Sequence, residues 1–263
     1  MDSTTRNTAR PQTTIPVTAA GDALVSCLCV THDRVPMLRR SVAGFLAQSH
    51  GARELVVVHE SRDTATAAFL RGLNEPAVRE IELPPLPRLT LGAKRNRGLA
   101  ACRGTHIAVW DDDDWHAPSR LAVQLEVLKL SGQSACTLRQ TLVLDEVTGD
   151  CYLSQTRAWE CTLFATRAAM PLYADLERGE DVPGVVALAR SGQLTLVDAP
   201  QLYVYVYHGR NAGNRAHFRR NIFAHSRKLP PAFAGRVRTL LQAPTTAAPL
   251  TATEIRGLLA PQA

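Results

Sequence analysis

Trp110-Asp111-Asp112-Asp113-Asp114-Trp115 decides how the rest of the chain is read. An apolar run, Ile107-Ala108-Val109-Trp110, leads straight into four carboxylates, and Pro118 opens a helical pattern just after them. Such a run reads as a buried strand ending at a sheet edge, where the acids emerge together. Four like charges repel one another, and nothing within the run compensates them. A divalent cation held by oxygen ligands is the usual remedy, and carboxylates are ligands that Mg²⁺ and Mn²⁺ accept. In extended backbone Asp111 and Asp113 share one face, and Asp112 and Asp114 the other. One pair can then face a cleft while the other holds the loop or caps the next helix. The bland alternative, an acidic solvated turn, fits poorly with a strand this apolar. An EF-hand loop needs an oxygen ligand and a glycine where Trp115 and His116 stand, and a Walker B strand lacks its G-x-x-x-x-G-K-[ST] partner here.

Upstream of the acid block the chain alternates strand and helix. Leu24–Val30 is a short apolar run ending in the polar Thr31-His32-Asp33-Arg34, and a helix follows from Pro36 to about Gln48. Glu54–Val58 is a second strand, stopping at His59-Glu60-Ser61. A helix through Phe69, Leu70 and Leu73 and a strand over 78–83 come next. Thr90 is placed to cap a helix over 91–102, which carries Lys94, Arg95, Asn96 and Arg97 in its first turns. Alternation with apolar strands is the signature of a mostly parallel sheet covered by helices, in which ligands bind beyond the C-terminal strand ends. No G-x-G-x-x-G follows the first strand, so an ordinary dinucleotide site is excluded.

Beyond Ser131 the alternation loosens. Strands are expected over 135–144 and 162–165 with a turn over 145–150 between them, then a helix through Val185, Val186 and Leu188. Strands over 194–197 and 202–207 follow, the second ending in His208-Gly209-Arg210-Asn211, and then a basic helix from about Arg215 to Lys228. The Pro- and Ala-rich end reads as weakly specified. Residues 1–22, polar and poor in bulky apolar side chains, read as a disordered leader.

The chain has 263 residues, 45% hydrophobic and 21% charged, the balance of a soluble globular protein. It shows neither a membrane-length apolar run nor a signal-peptide core. The six cysteines (Cys27, Cys29, Cys102, Cys136, Cys151, Cys161) form no C-x-x-C pair and read as reduced core residues of a cytoplasmic protein. The net charge of +6 is a C-terminal property: residues 199–253 hold eight Lys or Arg and no acid, so the remainder is acidic on balance. That segment points to a phosphate-bearing ligand or an anionic surface.

Val25–Arg34, the strand Glu54–Glu60, the helix Gly92-Ala93-Lys94-Arg95-Asn96-Arg97-Gly98-Leu99-Ala100, the acid block with Pro118, and Glu180-Asp181 come in the order found in the family 2 glycosyltransferases. The chain resembles that family over roughly Leu24 to Asn211. The resemblance implies a GT-A fold, an α/β architecture with a Rossmann-like, mostly parallel sheet flanked by helices and a smaller mixed acceptor-side subregion. Residues 23–212 would be the GT-A domain, with a nucleotide-sugar half over 23–131, an acceptor and catalytic half over 132–212, and a basic helical extension over 213–263.

The implied activity is metal-dependent, inverting transfer from a nucleoside diphosphate sugar, a UDP-sugar favoured, to an acceptor hydroxyl. Thr31 and Asp33, with Arg34 beside them, would lie near the base, and Glu60 near base or ribose. Asp111, with Asp112, would approach the ribose or diphosphate. Asp113 would bind Mn²⁺ or Mg²⁺, and Asp181 would be the general base. Two departures stand out: His59-Glu60-Ser61-Arg62 replaces the family's usual pair of aspartates followed by glycine and serine, and Thr31-His32-Asp33-Arg34 replaces a commoner Tyr-Asn turn.

The chemistry asks for such residues. A departing diphosphate must be neutralised, and a carboxylate on the far side must take the acceptor proton. His208 is a candidate third metal ligand, a phosphate donor, or simply a core group. Lys94, Arg95 and Asn96 are candidates for the donor site, the two cations divided between diphosphate contacts and salt bridges to the acids. Trp115 and Trp159 read as packing residues and Tyr203, Tyr205 and Tyr207 as sheet residues. The acceptor could be a glycan, a lipid-linked sugar, a protein or a small molecule, with a peripheral membrane contact allowed for. A nucleotidylyltransferase would need a glycine-rich phosphate loop after the first strand. A non-enzymatic binder of nucleic acid or an anionic surface would leave the acids without a task, and the basic tail lacks the aromatic interleaving of single-strand binders.

Overall fold

The structure, a computed structural model, describes residues 23–211, 213–242 and 248–259. The leader expected over 1–22 lies outside them. In chain order the first half runs β1 (Val25–Val30), α1 (Val35–Leu46), β2 (Arg53–Glu60), α2 (Thr64–Leu73), β3 (Val78–Leu83), α3 (Leu91–Ala101), β4 (His106–Val109), β5 (Trp115–His116) and α4 (Arg120–Ser131). The second half runs β6 (Ala135–Leu138), β7 (Leu142–Asp145), β8 (Asp150–Leu153), β9 (Phe164–Thr166), α5 (Val182–Arg190), β10 (Leu194–Val197), β11 (Tyr203–Tyr207), α6 (Arg215–Asn221), β12 (Arg227–Lys228), α7 (Pro231–Gln242) and α8 (Ala252–Leu259).

The main sheet has seven strands in the order β10-β6-β9-β4-β1-β2-β3. β3, β2, β1 and β4 are mutually parallel, β9 is antiparallel to both β4 and β6, and β10 is parallel to β6. Leu55, Val56, Val57 and Val58 of β2 are all fully buried, as a strand covered on both faces requires. Strands from either side of residue 131 therefore pair in one sheet. A second sheet, β12-β8-β7-β11-β5, packs α7 against β7 and β8.

Four expectations need correcting. The run over 135–144 is two strands in two sheets, β6 in the main one and β7 in the second, because the chain crosses between them at residues 139–141. The turn after β7 leads into β8, a strand the sequence reading missed: it pairs antiparallel with β7 and is too short to show periodicity of its own. The basic helix stops at Asn221, well short of Lys228. There β12 pairs with β8, Phe223 stacks on Tyr152 at 5.0 Å and Lys228 reaches Asp150 at 2.7 Å, so tertiary contacts override helix propensity. The Pro- and Ala-rich last 20 or so residues are not weakly specified throughout: Ile255 of α8 joins the core that α7 builds from Phe233, Ala234, Val237, Leu240 and Leu241.

The parallel order brings the C-terminal ends of β1, β2 and β4 to one edge. α3 then lies unusually close to that sheet: a Cβ on Gly98 would fall 2.4 Å from Leu28 Cδ1 and 2.6 Å from Val58 Cγ2. Only glycine permits this approach, and it sets the height of α3 above the strand ends.

Candidate active site

The acids leave the strand before they reach the cleft. β4 ends at Val109, Trp110 is fully buried, and residues 111–114 form a bend, so the two-residue alternation expected of extended backbone does not hold. Asp111, Asp112 and Asp113 all line one cleft of about 1050 Å³, and Asp114 alone turns inward. α1 fixes the bend through its carbonyls: Ser41 Oγ donates to Asp111 O at 3.3 Å and Arg40 Nη2 to Asp113 O at 3.1 Å.

The chain itself supplies much of the charge compensation. Arg95 pairs with Asp111 at 2.8 Å, and Arg34 bridges Asp112 at 3.3 Å and Asp113 at 3.0 Å. Thr31 Oγ1 donates to Asp112 at 2.6 Å. Asp114 accepts from the Tyr203 hydroxyl and from Val206 N at 2.7 Å, tying the acid loop to β11. Burial pushes Asp112 up to about 7, with repulsion from Asp113 adding to it and Arg34 and Thr31 opposing. Burial likewise raises Asp111, against the attraction of Arg95, and raises Asp114 well above the carboxylate range.

α3 is the bridge across the cleft. Its cap is the expected one, Thr90 Oγ1 accepting from Ala93 N at 3.1 Å. Gly92 donates to Leu176 O at 3.0 Å, and any Cβ there would strike Ala174 O. Asn96 brackets Tyr173, donating to its carbonyl and accepting from its N–H, both at 2.9 Å. These contacts fasten the segment 173–181 to the helix. Arg95 reaches onward to Glu180 at 3.0 Å, so one guanidinium joins the acid loop to the residue before Asp181. Glu180 is buried, and burial raises its carboxyl against the pull of Arg95.

The sequence-predicted residues divide accordingly. Thr31, Arg34, Glu60, Lys94, Arg95, Asp111, Asp112, Asp113 and Asp181 all line the cleft. Lys94 pairs with Glu60 at 2.6 Å, holding that carboxyl below its usual range while burial opposes. Asp33 does not face the cleft: it takes a positive φ of 51°, gives its N–H to Asp63 at 2.7 Å, and leaves its side chain exposed beside His32. Asn96 is consumed by Tyr173 and lies outside the lining. Both are corrections to the sequence reading. Glu180 as an ion-pair partner and Asp114 as the anchor of β11 carry no sequence signal beyond their acidic neighbours.

His208 ends β11 with Nε2 3.0 Å from Asp113 Oδ2. Its Nδ1 accepts from Arg210 N at 3.3 Å, so the neutral ring carries its proton on Nε2 and offers an N–H to Asp113. Metal ligation through Nε2 would need the opposite tautomer and the loss of the Arg210 contact. As arranged, His208 fits a donor role rather than a ligand role. Asp113 itself is cleft-facing and already attracts a cation, the Arg34 guanidinium, as a metal-binding carboxylate would. Among the described residues, the two groups of potential ligand atoms within 4.8 Å of one another, His32-Asp33-Asp63 and His59-Glu80-Glu82, contain no residue of the acid loop. Trp115 and Trp159 are both buried, and Trp159 borders the cleft beneath Arg157, whose guanidinium lies 4.3 Å from its ring centroid.

The family described as "Glycosyl transferase family 2" matches residues 26–155, the stretch from β1 through the acid loop to β8. Over that stretch the chain resembles glycosyltransferase family 2. Among curated family relatives, the succinoglycan biosynthesis protein ExoO of Rhizobium meliloti (strain 1021) is 32% identical over 108 residues, covering 41% of this chain and 30% of ExoO. The matched stretch thus spans under a third of that relative. Among solved structures, residues 1–349 of S. aureus TarS in complex with UDP-GlcNAc superpose with a TM-score of 0.59 at 12% identity, covering 70% of this chain and 59% of that one. The UDP complex of TarS gives the same TM-score, covering 60% of TarS. The likeness establishes a shared GT-A fold. No helix among the described residues is long and apolar enough to cross a membrane.

Proposed function

We propose that this chain transfers a glycosyl group from a nucleoside diphosphate sugar, a UDP-sugar favoured, to an acceptor hydroxyl with inversion at the anomeric carbon. The observation that carries the proposal is a single cleft lined by Asp111, Asp112, Asp113 and Asp181, with Arg95 linking Asp111 to Glu180, the residue before Asp181. Residues 23–131 would bind the donor and 132–212 supply the acceptor and catalytic side, with 213–263 an extension.

In this reading Asp181, at the N-cap of α5, takes the proton of the acceptor hydroxyl as its oxygen bonds to the anomeric carbon. The bond to the diphosphate breaks on the opposite face, and the diphosphate leaves with the electron pair. Asp113 would hold Mn²⁺ or Mg²⁺, which when bound neutralises charge on the departing diphosphate. His208 donates its Nε2–H to Asp113 and orients it. Thr31 and Glu60 stand at the ends of β1 and β2, where the base and ribose would lie. The TarS complexes, with UDP and UDP-GlcNAc on the same fold, support a UDP-sugar donor. Six free cysteines, five of them buried, support a reducing cytoplasmic setting. Any peripheral membrane contact would be electrostatic, since Phe218 of α6 and Ile222 just after it are packed inward.

The test is calorimetric titration of UDP, GDP, CDP and dTDP, each with and without Mn²⁺. Metal-dependent binding of one nucleotide, UDP by expectation, supports the proposal. Binding of none overturns it.

A further inference from the structure

Six of the eight Lys and Arg side chains that line the cleft are ion-paired within the chain. The exceptions are Arg178, on the loop before Glu180, and Arg220, on α6; neither side chain has a hydrogen-bond or ion-pair partner among the described residues. Arg220 has no acid on its own stretch of chain to pair with. Residues 199–253 contain no Asp or Glu, while Arg215 and Arg219 stand on the same helix as Arg220. α6 cannot rotate to hide these groups, because Phe218 is 1% exposed and packs on Tyr207 at 4.4 Å and Tyr205 at 5.6 Å between ring centroids. Its polar side is thereby held toward the cleft, where His217, Asn214 and Asn221 stand beside Arg220. Arg219 and Arg220 also flank a second, open depression of about 340 Å³.

The two walls thus differ in sign. The edge formed by β1, β2 and β4 gathers carboxylates, whereas the α6 wall, which rests on β7 and β11, presents the unpaired Arg220 guanidinium to the cleft, with Arg219 beside it at the open depression. Guanidinium forks bind phosphate oxygens bidentately, and several around one position favour a multiply charged anion over a neutral sugar.

We infer that the acceptor carries a phosphate group, which binds Arg220 on the α6 wall while the acceptor hydroxyl faces Asp181. This names the acceptor class within the transferase reading above and rests on it. The shared chemistry is a phosphomonoester or phosphodiester, borne on a soluble sugar or polyol or on a lipid headgroup.

The full chain, saturated with UDP and Mn²⁺ so that the donor site is closed to other phosphates, is titrated with glycerol 3-phosphate and with glycerol. In parallel it is sedimented with phosphatidylglycerol and with phosphatidylcholine vesicles. Glycerol 3-phosphate should bind and glycerol should not, with affinity falling as salt rises. R220A should weaken that binding about tenfold, R220K should recover part of it, and R190A, on the exposed end of α5, should leave it unchanged. Co-sedimentation with phosphatidylglycerol alone, lost in R220A, assigns the phosphate to a lipid; binding of soluble glycerol 3-phosphate without vesicle binding assigns it to a soluble acceptor. Equal binding by wild type and R220A, or a loss confined to R178A, overturns the inference. The nucleotide titration reports the donor site separately: R220A should bind UDP and Mn²⁺ as wild type does. An absence of nucleotide binding in both therefore defeats the transferase reading, while the glycerol 3-phosphate comparison still decides the role of Arg220.

Discussion

Arg95 Nε lies 3.0 Å from Glu180 Oε1, while its Nη2 lies 2.8 Å from Asp111 Oδ1. One side chain of α3 thus spans two chain segments about 70 residues apart and sets the distance between the acid loop and the neighbour of Asp181.

Removing that guanidinium leaves two carboxylates facing each other without their cation. R95M should cost about 3 kcal/mol, the lower end of what breaking a buried pair costs. For a domain of this size that is a fall in Tm of about 10 °C by calorimetry. R95K should recover only part of it, since a compact ammonium does not reach Asp111 and Glu180 together as the wider guanidinium does. A Tm for R95M within 2 °C of wild type, roughly 0.5–1 kcal/mol, would show that the pair is not coupled to folding.

Asp113 and His208 separate ligand from donor roles. D113N should abolish the Mn²⁺-dependent part of nucleotide binding in the calorimeter. H208Q, whose amide nitrogen reproduces the Nε2–H, should keep metal-dependent affinity within about threefold, less than one kcal/mol, whereas H208A should lose more. If H208Q fails as completely as D113N, the imidazole is a ligand after all.

D181N should bind nucleotide and Mn²⁺ like wild type and lose transfer by at least 100-fold, the lower range for a positioned general base. Full turnover in D181N, followed by release of nucleoside diphosphate in the presence of acceptor, would end its role as base.

Two glycines should respond with opposite signs. Gly44 lies inside α1 with nothing within 4 Å of a would-be Cβ, so G44A should stabilise by about 0.5–1 kcal/mol. G98A would push Leu28 and Val58 aside and should destabilise by about 1–3 kcal/mol. Urea denaturation of both variants checks the pair.

Glu54 makes the fold sensitive to acid. Burial alone would raise its carboxyl, but hydrogen bonds from Ser26 Oγ and Arg103 N at 2.6 Å and from Arg79 at 2.9 Å outweigh burial and hold it below the ordinary value of 4.5. Folding therefore favours the ionised form. That contribution is complete above the unfolded value and is lost as pH falls through the folded one. E54Q should be less stable than wild type by about 2 kcal/mol at pH 7, and the gap should close below pH 4.5. A gap that persists at pH 3 would place the effect in packing rather than charge.

Much of this protein was determined by local sequence alone. The apolar runs of β1, β2 and β4 can satisfy their backbone only in a covered parallel sheet, and Thr90, Pro36 and the helical spacing set the helices between them. Ten of the twelve donor-side, metal-side and catalytic side chains read from the sequence line the cleft or meet Asp113 there, because strand ends in such a sheet deliver their polar turns to one edge. The two that do not, Asp33 and Asn96, were misplaced because a turn or helix position says only that a side chain is available. A positive φ sends Asp33 outward, and a pair of backbone bonds to Tyr173 engages Asn96.

What only the tertiary structure decided depends on partners distant in sequence. The bend at 111–114, which turns three acids into the cleft and one inward, is held by Ser41, Arg40 and the β11 backbone, none of them adjacent in the chain. The early end of α6 is set by β8. The unequal signs of the two cleft walls arise because α6 packs its aromatic side against β11 and so leaves Arg220 on the cleft that the acids also line. A sequence encodes which residues are apolar or charged; which charges end up facing one another follows from packing.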